Sequence, residues 1–340
     1  MTPTRSISPC MKAENRVSRI LGVRYPVILG PMRLITLGAM AGAVSAAGGL
    51  GVIAASGLSK ERLVEEIQGA QAMTQNPIGI NIPVYRPNAL EALEIAIGMG
   101  ITTIYTSAGD PKPFMDRIRK AGLTVIHKVS SEKTALKAQE AGVDAVVAMG
   151  FEAGGHVGRG HVTTFCLIPR LSDILSIPVI AAGGIADARG VVAALALGAE
   201  GVEIGTRFVA TTECPVPGFF KTAICDADLE STLLLGKEAM PIRVLKNRAT
   251  MRVAGMESGQ ADAAMENEGD MAYVQSGGND QTAVMPCGQI AGLVMETQTI
   301  SQVMAAIRQT IEPVVERIRR VFPGEPHPSI SPKETSGPWK

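Results

Sequence analysis

Val179–Phe208 reads VIAAGGIADARGVVAALALGAEGVEIGTRF. Val179–Gly184 is an apolar run ending in two glycines. Ala186–Leu197 places apolar side chains at helical spacing, and Gly198 can take the left-handed conformation that closes a helix. Gly201–Thr206 is a second, largely apolar run ending in Gly205-Thr206. Neither strand alternates apolar with polar residues, so both faces are covered, as in a parallel sheet joined by helical crossovers.

The same rhythm extends towards the N-terminus. Val27–Gly30, Gly51–Ala55, Ile78–Ile82, Thr102–Ser107, Thr124–Val129 and Ala145–Gly150 are further strands. Lys60–Met73, Asn88–Met99, Pro111–Ala121 and Ser131–Ala141 are helices, and Gly100, Gly122 and Gly142 are their closing glycines. Eight strands with no evident edge strand predict a (β/α)8 TIM barrel; an open doubly wound sheet is the competing arrangement. Beyond the eighth strand the rhythm stops. Residues 213–287 are read as a small helical subdomain, partly Met-rich, inserted after the eighth strand. Residues 16–212 and 288–322 form the barrel, with the amphipathic Ile300–Val321 as its closing helix. Residues 1–15 and 323–340 are expected to be flexible tails.

Composition narrows the function. Of 340 residues, 46% are hydrophobic and 19% charged, with Lys+Arg and Asp+Glu equal at 32 each. No global field attracts nucleic acid or an anionic membrane. The five cysteines are scattered, which disfavours a disulfide framework or a zinc site and suits a cytoplasmic protein. No signal peptide is evident. Leu37–Leu58 carries no charge, but its glycines, alanines and serines fit a small-residue helix, a turn and a buried strand better than a membrane span.

Barrel enzymes place their chemistry at the C-terminal ends of the strands and bind phosphate on the last two loops. Here those loops are Ala182-Gly183-Gly184 and Gly205-Thr206, bare backbone leading into a helix, as a phosphate requires. The loop after strand six, FEAGGHVGRGH (Phe151–His161), carries His156 beside Gly154 and Gly155. An imidazole at a strand end among glycines can approach a ligand and exchange protons near neutral pH. His161 is read as a solvated or helix-start residue. Of His127 and Lys128, one faces the lumen; Lys128 there would either balance a cofactor's charge or form a salt bridge. Asn81 would meet a heterocycle or stay structural. Signatures of zinc hydrolases, serine hydrolases and nucleoside-triphosphate enzymes are absent.

Taken together, Gly30-Pro31-Met32, AVSAAGGLG (Ala43–Gly51), GINI (Gly79–Ile82), Ile126–Lys128, EAGGHVG (Glu152–Gly158), VIAAGGIAD (Val179–Asp187), GTRF (Gly205–Phe208) and GQIAGL (Gly288–Leu293) resemble the flavin-dependent nitronate monooxygenases, formerly 2-nitropropane dioxygenases. Flavin-containing enoyl-[acyl-carrier-protein] reductases and some nicotinamide:quinone reductases are close relatives. The resemblance implies a barrel binding FMN non-covalently. The phosphate would rest on Gly183-Gly184 and Gly205-Thr206, and the ring near Gly30–Met32, Asn81 and Lys128. Gln289 would reach the flavin from the returning segment, and His156 matches the family's catalytic histidine.

The implied reaction is oxidation of alkyl nitronates with dioxygen to carbonyl compounds and nitrite. The rival is an NAD(P)H-dependent reductase acting on an enoyl thioester or quinone, with His156 as proton donor; VMPCGQIAGLV (Val284–Val294) resembles the corresponding reductase segment. A flavin-binding barrel without turnover is the third reading. The expected partner is a small molecule, with neither nucleic acid, membrane nor metal; a homodimer is left open.

Overall fold

The computed structural model describes residues 15–236, 241–257, 259–260, 273–274, 278–279 and 281–322. The expected tails therefore fall outside the described residues, apart from Asn15, and so does much of the Met-rich stretch. Among the described residues there are eleven strands: β1 (Val27–Leu29), β2 (Gly51–Ala54), β3 (Ile78–Pro83), β4 (Thr103–Ser107), β5 (Thr124–Val129), β6 (Ala145–Met149), β7 (Gly155–His156), β8 (Val179–Ala182), β9 (Gly201–Ile204), β10 (Thr232–Leu235) and β11 (Ile242–Leu245). Eight of them form one parallel sheet in the order β1-β9-β8-β6-β5-β4-β3-β2. A parallel bridge between Ile28 and Leu50 brings β1 back to β2, so the sheet curls into the expected (β/α)8 barrel.

Glycines set how closely the layers approach. The uncharged stretch Leu37–Leu58 is the helix Gly38–Ala46, a turn and then β2. A side chain at Gly51 would lie 1.8 Å from the Ala41 carbonyl oxygen, so glycine lets this helix sit directly on its strand. Gly100, Gly122, Gly142 and Gly198 all close their helices at positive φ.

Two apolar cores follow from strand alternation. Outward-facing residues such as Ile53, Ile80, Ile104, Val125 and Val146 pack under the helices. Inward-facing Ile28, Val52, Tyr105, Ile126, Val147 and Ile180 fill the lumen together with Val17 and Leu21. These last two come from the helix Arg16–Leu21, which plugs the N-terminal end of the barrel, its Ile20 carbonyl accepting from Thr124 Oγ1 at 3.2 Å. The opposite end is left for polar side chains.

The insert adds strands to the expected helices. Gly218–Cys225 and Arg248–Ala254 are helical, but β10 and β11 form an antiparallel hairpin between them. The hairpin also recruits β7 from the loop after β6, pairing Ile242 with His156 and Arg243 with Gly155. Ile300–Val321 then returns along the barrel wall, with Val303, Met304 and Ile307 buried. No described helix is long and apolar enough to cross a membrane.

Candidate active site

The predicted residues gather at the C-terminal rim. Gly30, Asn81, Lys128, Ala182 and Glu203 occupy the same alternation phase as the lumen residues Ile28, Ile126 and Ile180. Each therefore stands in the barrel's upper layer or just above it. Lys128 is the lumen member of its pair. Its Nζ lies 2.7 Å from Glu203 Oε1 and 5.4 Å from the Tyr105 ring centroid. The other carboxylate oxygen of Glu203 accepts a short hydrogen bond from the Tyr105 hydroxyl. β9 stands opposite β4 in the ring, so this triad spans the lumen and floors the mouth. Burial, then the neighbouring Glu203 charge, pushes the Tyr105 hydroxyl's pKa well above the ordinary tyrosine value. A methyl at Gly30 would come within 3.2 Å of Glu203 Oε1. Asn81 commits its amide N–H groups to the Tyr105 carbonyl (2.9 Å) and Ser107 Oγ (3.1 Å). Only its carbonyl oxygen is left for a ligand.

His127 faces the other way. It is buried in the helix layer with Nδ1 2.8 Å from Thr106 Oγ1, and burial pulls its pKa down to about 4.

The two glycine cradles lie side by side, because β8 and β9 are neighbours. Gly183 and Gly184 have φ of +91° and +76°. A side chain at Gly183 would meet the Gly150 carbonyl at 2.9 Å. Gly205 leads directly into the helical turn Thr206–Val209, and a Cβ there would touch only Met32 Sδ, at 3.8 Å. Among the described residues, no backbone bond uses the N–H of Gly183, Gly184, Gly205 or Thr206 as donor. Pro31 and Met32 begin the loop after β1, which is tied down where Met32 N–H donates to Thr36 Oγ1 at 3.0 Å.

The loop after β6 and the returning segment are laced together beside these cradles. Gln289 N–H donates to the Glu152 carbonyl at 2.9 Å, and Gly288 N–H to Thr206 Oγ1 at 2.9 Å. A Cβ at Gly154 would lie 2.5 Å from Gly288 N. The Glu152 carboxylate accepts from Thr164 N–H (2.9 Å) and Oγ1 (3.0 Å), capping the helix Thr164–Ile174. Cys287 is fully buried, and burial pushes its thiol up to about 12, an inert group.

His156 is exposed on β7, its backbone held by the insert. Arg243 fastens that pairing: its Nε and Nη2 donate to the Phe151 carbonyl at 3.2 and 2.9 Å, and its guanidinium stacks 4.8 Å from the Phe151 ring. His161 is exposed, as a solvated residue would be, and stacks on the Phe151 ring at 4.3 Å between centroids; the next helix starts only at Thr164. Tyr105, Glu152, Glu203 and Arg243 are the site residues that the sequence reading did not single out. Glu203 offered one signal, a lone carboxylate inside an otherwise apolar strand.

Against known proteins, residues 14–310 match the nitronate monooxygenase family. The chain is 33% identical over 267 residues to (3aS,4S,5R,7aS)-5-hydroxy-7a-methyl-1-oxo-octahydro-1H-indene-4-carboxyl-CoA dehydrogenase of Mycobacterium tuberculosis, covering 76% of this chain and 74% of that one. It is 28% identical to a probable nitronate monooxygenase of Staphylococcus saprophyticus, over 89% of this chain and 99% of the relative. The solved FabK of Thermotoga maritima superposes with a TM-score of 0.86 at 34% identity, covering 92% and 100% of the two chains.

Proposed function

The chain belongs to the nitronate monooxygenase family and is a flavin-dependent oxidoreductase; we propose that it binds FMN and oxidises alkyl nitronates with dioxygen to carbonyl compounds and nitrite. The observation that carries this reading is the pair of adjacent cradles, whose Gly183, Gly184, Gly205 and Thr206 N–H groups are unspent by the backbone. Such donors at strand ends suit a phosphate dianion. The absence of side chains at Gly30 and Gly205 leaves room for a flat ring over the Lys128–Glu203 floor.

FMN would supply the redox centre. The chain's own residues do the remaining work. The cradles hold the phosphate, with Gln289 and Gly154-Gly155 closing beside them. Asn81 offers its free carbonyl oxygen to a ring N–H. His156 takes a proton from the carbon of a neutral nitroalkane or, protonated, steadies the nitronate anion. On its scattered cysteines we assign the reaction to the cytoplasm, acting on a small-molecule substrate.

A second reading, reduction or oxidation of an acyl thioester with a nicotinamide partner, is favoured by a specific finding. The relative named as a carboxyl-CoA dehydrogenase and FabK are 33% and 34% identical, above the 28% of the probable nitronate monooxygenase of Staphylococcus saprophyticus. In that reading His156 delivers the proton that accompanies hydride transfer. Anaerobic stopped-flow reduction by propyl nitronate, NADH and NADPH separates the two. Bleaching by nitronate alone supports the monooxygenase; rapid bleaching by a nicotinamide alone overturns it in favour of the thioester enzyme.

A further inference from the structure

The floor of the mouth is a cross-barrel ion pair, and its chemistry reaches beyond simple support. Glu203 is 6% exposed in its side chain and Lys128 19%, so the carboxylate lies deeper and the ammonium nearer the opening. Buried charges are stable only when paired and hydrogen-bonded. Glu203 satisfies this with Lys128 Nζ on one oxygen and the Tyr105 hydroxyl on the other. Lys128 in turn has no other carboxylate among the described residues. Its position and its net effect on anything docked above are both set by Glu203. A lone lysine at this place would present a full positive charge to the docked ring; the pair presents a dipole.

We propose that Glu203 is a positioning and charge-balancing residue: it anchors Lys128 at the barrel mouth and cancels most of its field, so that the bound flavin gains only weak stabilisation of added negative charge. The proposal rests on the flavin reading above. Removing Glu203's charge would leave the cation uncompensated in a weakly screened floor, so that it attracts added negative charge docked above it more strongly. Removing Lys128's charge would leave an uncompensated anion, with the opposite consequence.

Sulfite tests this on the purified holoprotein. Its sulfur lone pair forms a bond to oxidised flavin, and the added negative charge stays on the ring, so its dissociation constant reports the local field without turnover. Glu203→Gln is expected to tighten sulfite at least tenfold and to move the flavin midpoint potential positive. Lys128→Met is expected to weaken sulfite at least tenfold and move the potential negative, and the double variant to return towards the unsubstituted protein. A merely structural role would shift both single variants the same way, without recovery in the double variant, and that result overturns the proposal. So would single variants that both stay within twofold. If Glu203→Gln does not fold, Glu203→Asp keeps the charge but withdraws it from Nζ; sulfite then tightens less than tenfold but more than twofold, and no tightening overturns the proposal. A colourless protein that takes up no FMN sinks the flavin reading itself, a separate outcome from unchanged sulfite binding in a yellow one.

Discussion

The Thr206 hydroxyl accepts the backbone N–H of Gly288 at 2.9 Å, joining the second glycine cradle to a segment that returns to the barrel only after the insert. Gly288 also abuts Gly154, so one hydroxyl helps align three parts of the rim. Thr206→Val keeps the shape and deletes the acceptor. A buried N–H left without a partner costs about 1–3 kcal/mol. The variant should melt lower and release FMN several-fold more readily, as read from the rise in free-flavin fluorescence on dilution.

Gly183 and Gly122 both have positive φ, but only Gly183 is crowded: a Cβ there meets the Gly150 carbonyl at 2.9 Å, whereas Gly122 has nothing within 4 Å. Gly122→Ala should cost about 1 kcal/mol, the strain of a left-handed alanine, and leave flavin content unchanged. Gly183→Ala should destabilise more and abolish flavin retention. Urea titration with flavin quantitation compares the two. Equal flavin content in both variants would count against the cradle.

His156→Ala tests the proton carrier. General-base assistance is worth roughly 10²–10⁴-fold. Turnover of neutral nitroethane should fall by about that factor, while turnover of pre-formed ethyl nitronate should stay within about tenfold. Steady-state oxygen uptake with each substrate gives the comparison, and equal losses remove His156 from that role.

His127 makes stability depend on pH. Burial lowers its pKa from 6.5 to about 4, so between those values the unfolded chain binds more protons than the folded one. Stability should therefore rise with pH through this window and fall by up to ~3 kcal/mol as pH drops from 6.5 to 4. His127→Gln, which can still bond Thr106, should flatten that part of the profile. Denaturant midpoints at pH 4, 5, 6 and 7 measure the slope.

Arg243 ties the insert to the histidine loop through the Phe151 carbonyl. Arg243→Met keeps the apolar stem and deletes the guanidinium. Loss of hydrogen bonds from a charged donor should cost about 1.5–3 kcal/mol and speed amide exchange at His156 and Val157. Hydrogen exchange followed by mass spectrometry reads the loop directly.

All eight barrel strands were legible because each is a local signal, a short apolar run, and several are followed by a helix with a closing glycine such as Gly100, Gly122, Gly142 or Gly198. Lys60–Met73 has the predicted bounds, and Asn88–Met99 needs only its end residues trimmed. The adjacent glycine loops at the ends of β8 and β9 were legible for the same reason. β7 was not. Gly155-His156 becomes a strand only because Ile242 and Arg243 pair with it from far along the chain, and nothing around the histidine announces that partner. The hairpin itself was hidden by composition, since the leucine-rich Thr232–Leu235 has helix-forming side chains and its extended form comes from pairing. Glu203 and Tyr105 could each be placed on a strand, but only closure of the ring sets them against Lys128.

The strand shared between β7 and the insert has an evolutionary and engineering corollary. The insert hairpin sets the backbone register of His156, so under the proposed reading a pocket wall built from the insert and a proton carrier at His156 cannot drift independently. A chimera that imports another relative's insert must import its Phe151–Val157 loop as well, or the imidazole will lose its seat whenever the specificity changes hands.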